Sequence, residues 1–108
     1  MKRYLIIQSQ DPFTQRSADQ HFALAKSLQQ AGNKVCMLLV QNAVGIARQG
    51  TNNSAFEDLL NAGVAVHADS YALAERQLDS QALRPGINIA ELDLVVEALI
   101  AGDKVIWH

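Results

Sequence analysis

The sequence predicts an α/β protein: one three-layer α/β/α domain spanning residues 1–108, built on a mainly parallel sheet of about five strands. Three observations lead there. Short, mostly apolar runs at 4–7, 35–40, 64–68 and 104–108 alternate with longer stretches of helical periodicity. The first three runs are apolar on both parities, as expected for strands covered on both faces of a parallel sheet. The pairs Ala31-Gly32, Ala62-Gly63 and Ala101-Gly102 each close a helical stretch just before a strand. Such short αβ loops suit right-handed crossovers with helices on both sides of the sheet.

Taken in order, the run 4–7 is the first strand, and 8–16 is a polar loop containing Pro12. Ser17 with Gln20 has the spacing of a capping box, and Ala18, Phe22, Ala25 and Leu28 then recur at helical intervals. After the strand at 35–40, residues 41–49 could form a short helix weakened by Gly45. Gly50 to Asn53 is a turn, and Ser54 with Glu57 is a second capping box ahead of Phe56, Leu59 and Leu60. The strand at 64–68 runs into a helix opened by Asp69 or Ser70 and extending to about Leu78. A loop at 79–86 holds Pro85, and 87–89 is a very short strand or merely extended. The last helix, 91–101, has one stripe of Leu92, Val95 and Leu99 and another of Leu94 and Ala98. So wide an apolar surface predicts heavy burial, partly at a subunit contact, and hence a homo-oligomer. The strand at 104–108 closes the chain.

Composition narrows the function classes. The formal net charge is −2, with both signs scattered and no basic run, so nucleic-acid and membrane-surface roles are not expected. The apolar run near the N-terminus breaks at Gln8, too soon for a signal-peptide core or a membrane span. One cysteine, Cys36, fits a reducing cytoplasm, and its place inside an apolar strand predicts a buried, structural thiol. Cys36, His21, His67 and His108 show no metal-ligand spacing, and the first loop lacks the glycines of a nucleotide cradle. No metal or other cofactor is expected. Trp107 is expected to be packed, with a subunit contact as the other possibility, and His21 to lie at the surface or its boundary.

The chain resembles the DsrE-like family of small sulfur-relay proteins, which includes the DsrE, DsrF and DsrH subunits and the TusD, TusC and TusB proteins. The resemblance rests on Tyr4-Leu5-Ile6-Ile7 with Ala23-Leu24-Ala25-Lys26-Ser27-Leu28, on Ala31-Gly32-Asn33-Lys34-Val35 and Gln41-Asn42-Ala43-Val44, on Leu59-Leu60-Asn61-Ala62-Gly63-Val64, and on Leu94-Val95-Val96-Glu97-Ala98-Leu99 with Asp103-Lys104-Val105-Ile106. It implies the α/β fold, a tendency to oligomerise, and related DsrE-like or sulfur-relay proteins as partners. Sulfur-carrying members place a cysteine just after the third strand. Here that place falls at or near Asp69, between Ala68 and Ser70, and neither a carboxylate nor a hydroxyl can hold a persulfide. A non-catalytic binding or scaffold subunit follows. The alternatives are a sulfur carrier using Cys36, and a small-ligand protein or enzyme using His67 and Asp69.

The candidate pocket residues are Gln8 and Asp11 after the first strand, and His67, Asp69 and Ser70 after the third. Ligands in open α/β sheets gather at the carboxyl ends of the strands, where these residues stand. His67 and Asp69 are two apart on a strand and share a face, which suits a His–Asp hydrogen bond. Ser70 lies in no nucleophile elbow, so it is not expected to attack a substrate. Asp69 is also a preferred N-cap.

Overall fold

The computed structural model describes residues 1–11, 13 and 17–108. Pro12, Thr14, Gln15 and Arg16 of the first polar loop lie outside the described residues. Five strands form one sheet: β1 (Arg3–Gln8), β2 (Lys34–Leu39), β3 (Ala65–Asp69), β4 (Ile87–Ala90) and β5 (Lys104–Trp107). Their spatial order is β4-β3-β2-β1-β5, and every neighbouring pair is parallel. The helices are α1 (Ser17–Gln30), α2 (Ser54–Asn61), α3 (Ser70–Glu75) and α4 (Asp93–Ile100), with 3-10 segments at Gln41–Ala47 and Ser80–Ala82.

Alternation along the strands splits the core in two. Ile6, Val35, Met37, Leu39, Val66 and Ala68 face one side, packing with Phe22 and Ala25 of α1, Phe56 and Leu59 of α2, Ala72 and Leu73 of α3, and the buried Ala43, Val44, Ile46 and Ala47 of the first 3-10 segment. Phe22 and Phe56 meet edge to face at 5.3 Å in its centre. Leu5, Ile7, Leu38 and Val40 face the other side, where only α4 covers them, through Ala98, Leu94 and Val95. The handedness rule explains the asymmetry. The chain steps outward from β1 to β4 with its crossovers on one face, then returns past β1 to β5, and that reversal sends α4 to the opposite face.

Several local expectations are revised. The helix after β3 stops at Glu75 rather than near Leu78, because Gln77 turns into the left-handed region at φ 55°. The cap of α2 is Asn53, whose side chain accepts the Phe56 N–H at 2.9 Å, one residue ahead of the expected Ser54. Ser17 does begin α1, but its hydroxyl donates to Gln10 Oε1 at 2.6 Å. The extended piece at 87–89 is a true strand, because β3 supplies a parallel partner for it. The last helix is shorter than expected, and within the chain its first stripe is only partly buried: Val95 packs against the core, but Leu92 and Leu99 are 55% and 60% exposed, and Val96 and Ile100 beside them are exposed too. Trp107 likewise points outward, 63% exposed, instead of packing inside.

Candidate functional site

The crossovers after β3 and β4 leave the sheet in opposite directions, the first to α3 and the second to α4. Adjacent strands that part in this way open a crevice between their carboxyl ends. Here it is an open cleft of about 570 Å³ lined by His67 and Ser70 from the β3–α3 junction, Asn88 and Ala90 from β4, and Glu91, Asp93 and Glu97 around the start of α4. The imidazole of His67 is half-buried in the wall, and burial lowers its pKa, which favours the neutral ring.

Asp69 stands one strand pleat further on and faces a different hollow. Its Oδ2 accepts the Ala72 N–H at 3.2 Å, capping α3, and the side chain is 6% exposed. That hollow, about 230 Å³, is lined by Val40, Gln41, Asp69, Tyr71, Glu75, Leu92 and Trp107 among others. Gln41 is held there at φ 51°, a left-handed conformation that a side chain rarely adopts. His67 and Asp69 therefore share a strand but not a site. The expected hydrogen bond between them does not form, since the carboxylate is turned toward the helix end.

Gln8 and Asp11 are not brought to these hollows. Gln8 is wholly buried; its amide N–H donates to the Gln10 carbonyl at 3.2 Å and its Oε1 meets His21 Nδ1 at 2.9 Å. Asp11 accepts the Phe13 N–H at 2.9 Å, a local turn contact. Gln8 ends β1 and Asp11 follows it, and β1 lies two strands away from β3. Sequence reasoning missed Glu91, Asp93 and Glu97. No spacing marks them, and they meet His67 only because β4 pairs with β3 and α4 runs back across the sheet.

Cys36 is only half-buried, not sealed in the core as expected. It lines a groove of about 430 Å³ beneath α4, with Arg3, Lys34, Ala65, His67, Glu97 and Asp103 among the walls. The eight residues of α4 are too few to cover the amino-terminal half of β2. Burial pushes the thiol up to about 11, outweighing the opposing pull of Lys34. Cys36 pairs in register with Ala65, two residues before His67 and four before Asp69, so along the strands the thiol lies roughly 7 Å from the His67 level and roughly 13 Å from Asp69, and His67 and Glu97 wall both this groove and the cleft. Among the described residues no His, Cys, Asp and Glu cluster has the makings of a metal site.

An all-parallel, doubly wound domain with a cleft where the crossovers part defines a class of small α/β proteins. Within that class, residues 2–108 match the DsrE/DsrF-like family, and the chain belongs to it. The structure is similar to the YchN protein of E. coli (TM-score 0.88, 20% identity, all of both chains covered). It is similar also to MTH1491 of Methanobacterium thermoautotrophicum, a protein of unknown function (TM-score 0.87, 16% identity, all of both chains). A third likeness is to BT1422 of Bacteroides thetaiotaomicron, also of unknown function (TM-score 0.80, 15% identity, 99% of this chain and 95% of that one). At these identities the likeness establishes the shared fold. No curated protein matches the sequence. Among the described residues no helix is long and apolar enough to cross a membrane.

Proposed function

We propose that this member of the family is a non-catalytic binding or scaffold subunit related to sulfur-relay complexes, working in the cytoplasm. The observation that carries this reading is that the carboxyl end of β3 holds the helix-capping carboxylate of Asp69 in place of a thiol. The carboxyl ends of β3 and β4 present imidazole, hydroxyl and carboxylate groups, and the one thiol lies back along β2. At the raised pKa of about 11, roughly one Cys36 in ten thousand is thiolate at neutral pH, and the thiolate is the nucleophile. With Glu91, Asp93 and Glu97 at its rim, the cleft favours a cationic or donor-bearing group over an anion. The exposed outer stripe of α4 supports self-association, or association with related DsrE-like chains.

The test is to incubate the protein with a cysteine desulfurase and free cysteine and to weigh it intact. No added sulfur is expected; a persulfide on Cys36 overturns the reading. A second reading, sulfur carriage by Cys36, is favoured by one observation, the open groove beside the thiol. It requires that Cys36 alkylate readily in the native protein, whereas the first reading expects slow alkylation that accelerates on unfolding. Light scattering tests the assembly: a species larger than the monomer is expected, and a monomer at all concentrations overturns it.

A further inference from the structure

The carboxyl ends of β1 and β5 are joined by a histidine pair that none of the three hollows uses. His21 on α1 and His108 after β5 stack face to face, with ring centroids 3.7 Å apart and planes 10° from parallel. Gln8 fixes the first ring. Its amide N–H is committed to the Gln10 carbonyl, which turns Oε1 toward His21, so His21 carries its hydrogen on Nδ1 and donates. Among the described residues His108 Nε2 is buried with no hydrogen-bond partner. The main chain of His108 is the last tie of β5 to β1: its N–H donates to the Ile7 carbonyl at 2.8 Å, and its own carbonyl accepts Ser9 N–H at 2.9 Å and Ser9 Oγ–H at 2.6 Å.

A shared metal ion does not suit this geometry. A ligated metal lies in the plane of its imidazole, and no point lies in both of two parallel planes a ring thickness apart. A proton suits it, because two stacked imidazolium ions repel at close range. Among the described residues the polar groups around the pair are these. Asp19, on the same helix as His21, is bonded to the Asn53 side chain; Asp11, in the loop after β1, caps the Phe13 N–H; Gln8, Ser9 and Ser17 are uncharged. Burial, and then the neighbouring His108, both hold His21 below the usual imidazole range.

We propose that the His21–His108 stack is an acid-released latch. With the rings neutral it pins the end of β5 against β1. When both rings carry protons it parts, freeing the main chain at His108 and loosening Trp107, which walls the Asp69 hollow. Falling pH thereby opens one end of the sheet without unfolding the rest.

The experiment is amide hydrogen exchange on the full chain between about pH 7.5 and about pH 5, read at His108 and Ser9 and corrected for the intrinsic rate. Opening at these amides is expected to rise about tenfold over that range in the wild type and to stay flat in His108→Phe and His21→Phe, which keep a ring but not the proton. A flat wild-type profile, or the same rise in both variants, overturns the latch. Imidazole NMR titration of the wild type needs no variant. Two separated steps from the pair support the proposal; two independent, ordinary titrations overturn it.

Discussion

Asp69 does two things with one carboxylate: it ends β3 and starts α3. Its oxygen satisfies the Ala72 N–H at the positive end of the helix, inside a wall that is nearly closed to water. Replacing it with alanine is expected to cost about 1–2 kcal/mol in urea unfolding, while asparagine, which keeps an acceptor, should cost a few tenths. Any larger loss in a binding measurement with Asp69→Asn would then belong to the ligand and not to the cap. The histidines set the pH behaviour. His21 and His67 both have folded pKa values below 6.5, so the unfolded chain binds more protons than the folded one as the pH drops through that value. From the histidines, stability should be level between about pH 7 and pH 8 and fall steadily below about pH 6.5, as thermal melts across that range would show. At this scale the sequence was partly readable. The cap role of Asp69 follows from residue type and position alone. The partners of Gln8 do not, because His21 reaches it only once α1 has folded back along β1.

Each helix-to-strand connection through an Ala-Gly pair is the same device. Gly32, Gly63 and Gly102 sit at φ 94°, 94° and 80°, where the chain reverses into the next strand. A methyl group added at Gly63 would meet only Gln29 Nε2 at an ordinary 3.5 Å, so the expected cost of Gly63→Ala, about 1 kcal/mol, comes from the backbone alone. A larger loss in denaturant melts would show that the turn packs more tightly than this. These elements were legible because glycine, cap and periodicity all act locally. The lengths of α3 and α4 were not, since the apolar pattern of α3 runs past the point where Gln77 turns, and that of α4 begins before the helix opens at Asp93. The outer stripe of α4 misled for a physical reason. Periodicity reports that a face is apolar, and it does not say whether the cover comes from the same chain. Val96→Lys with Leu99→Lys should leave the circular dichroism spectrum intact and shift sedimentation toward the monomer. A spectrum and a sedimentation profile that both stay unchanged would remove α4 from any contact.

The molecule as a whole is lopsided. One side of the sheet carries α1, α2, α3 and a buried 3-10 segment, and the other carries a single eight-residue helix. The fold class, the number of strands and the parallel pairing could be read from the sequence, because alternating apolar runs and helices admit few arrangements. Strand order could not, and with it went the acidic side of the cleft, whose residues belong to α4 and its approach. The strand order also has a bearing on how the chain assembles. β1 lies between β2 and the far more distant β5, with Ser9 bonded to a residue 99 positions away. Until that distant segment arrives, a nascent polypeptide displays one bare, strongly apolar margin to its surroundings. Folding therefore passes through an adhesive intermediate that stays open at this margin until the closing strand docks.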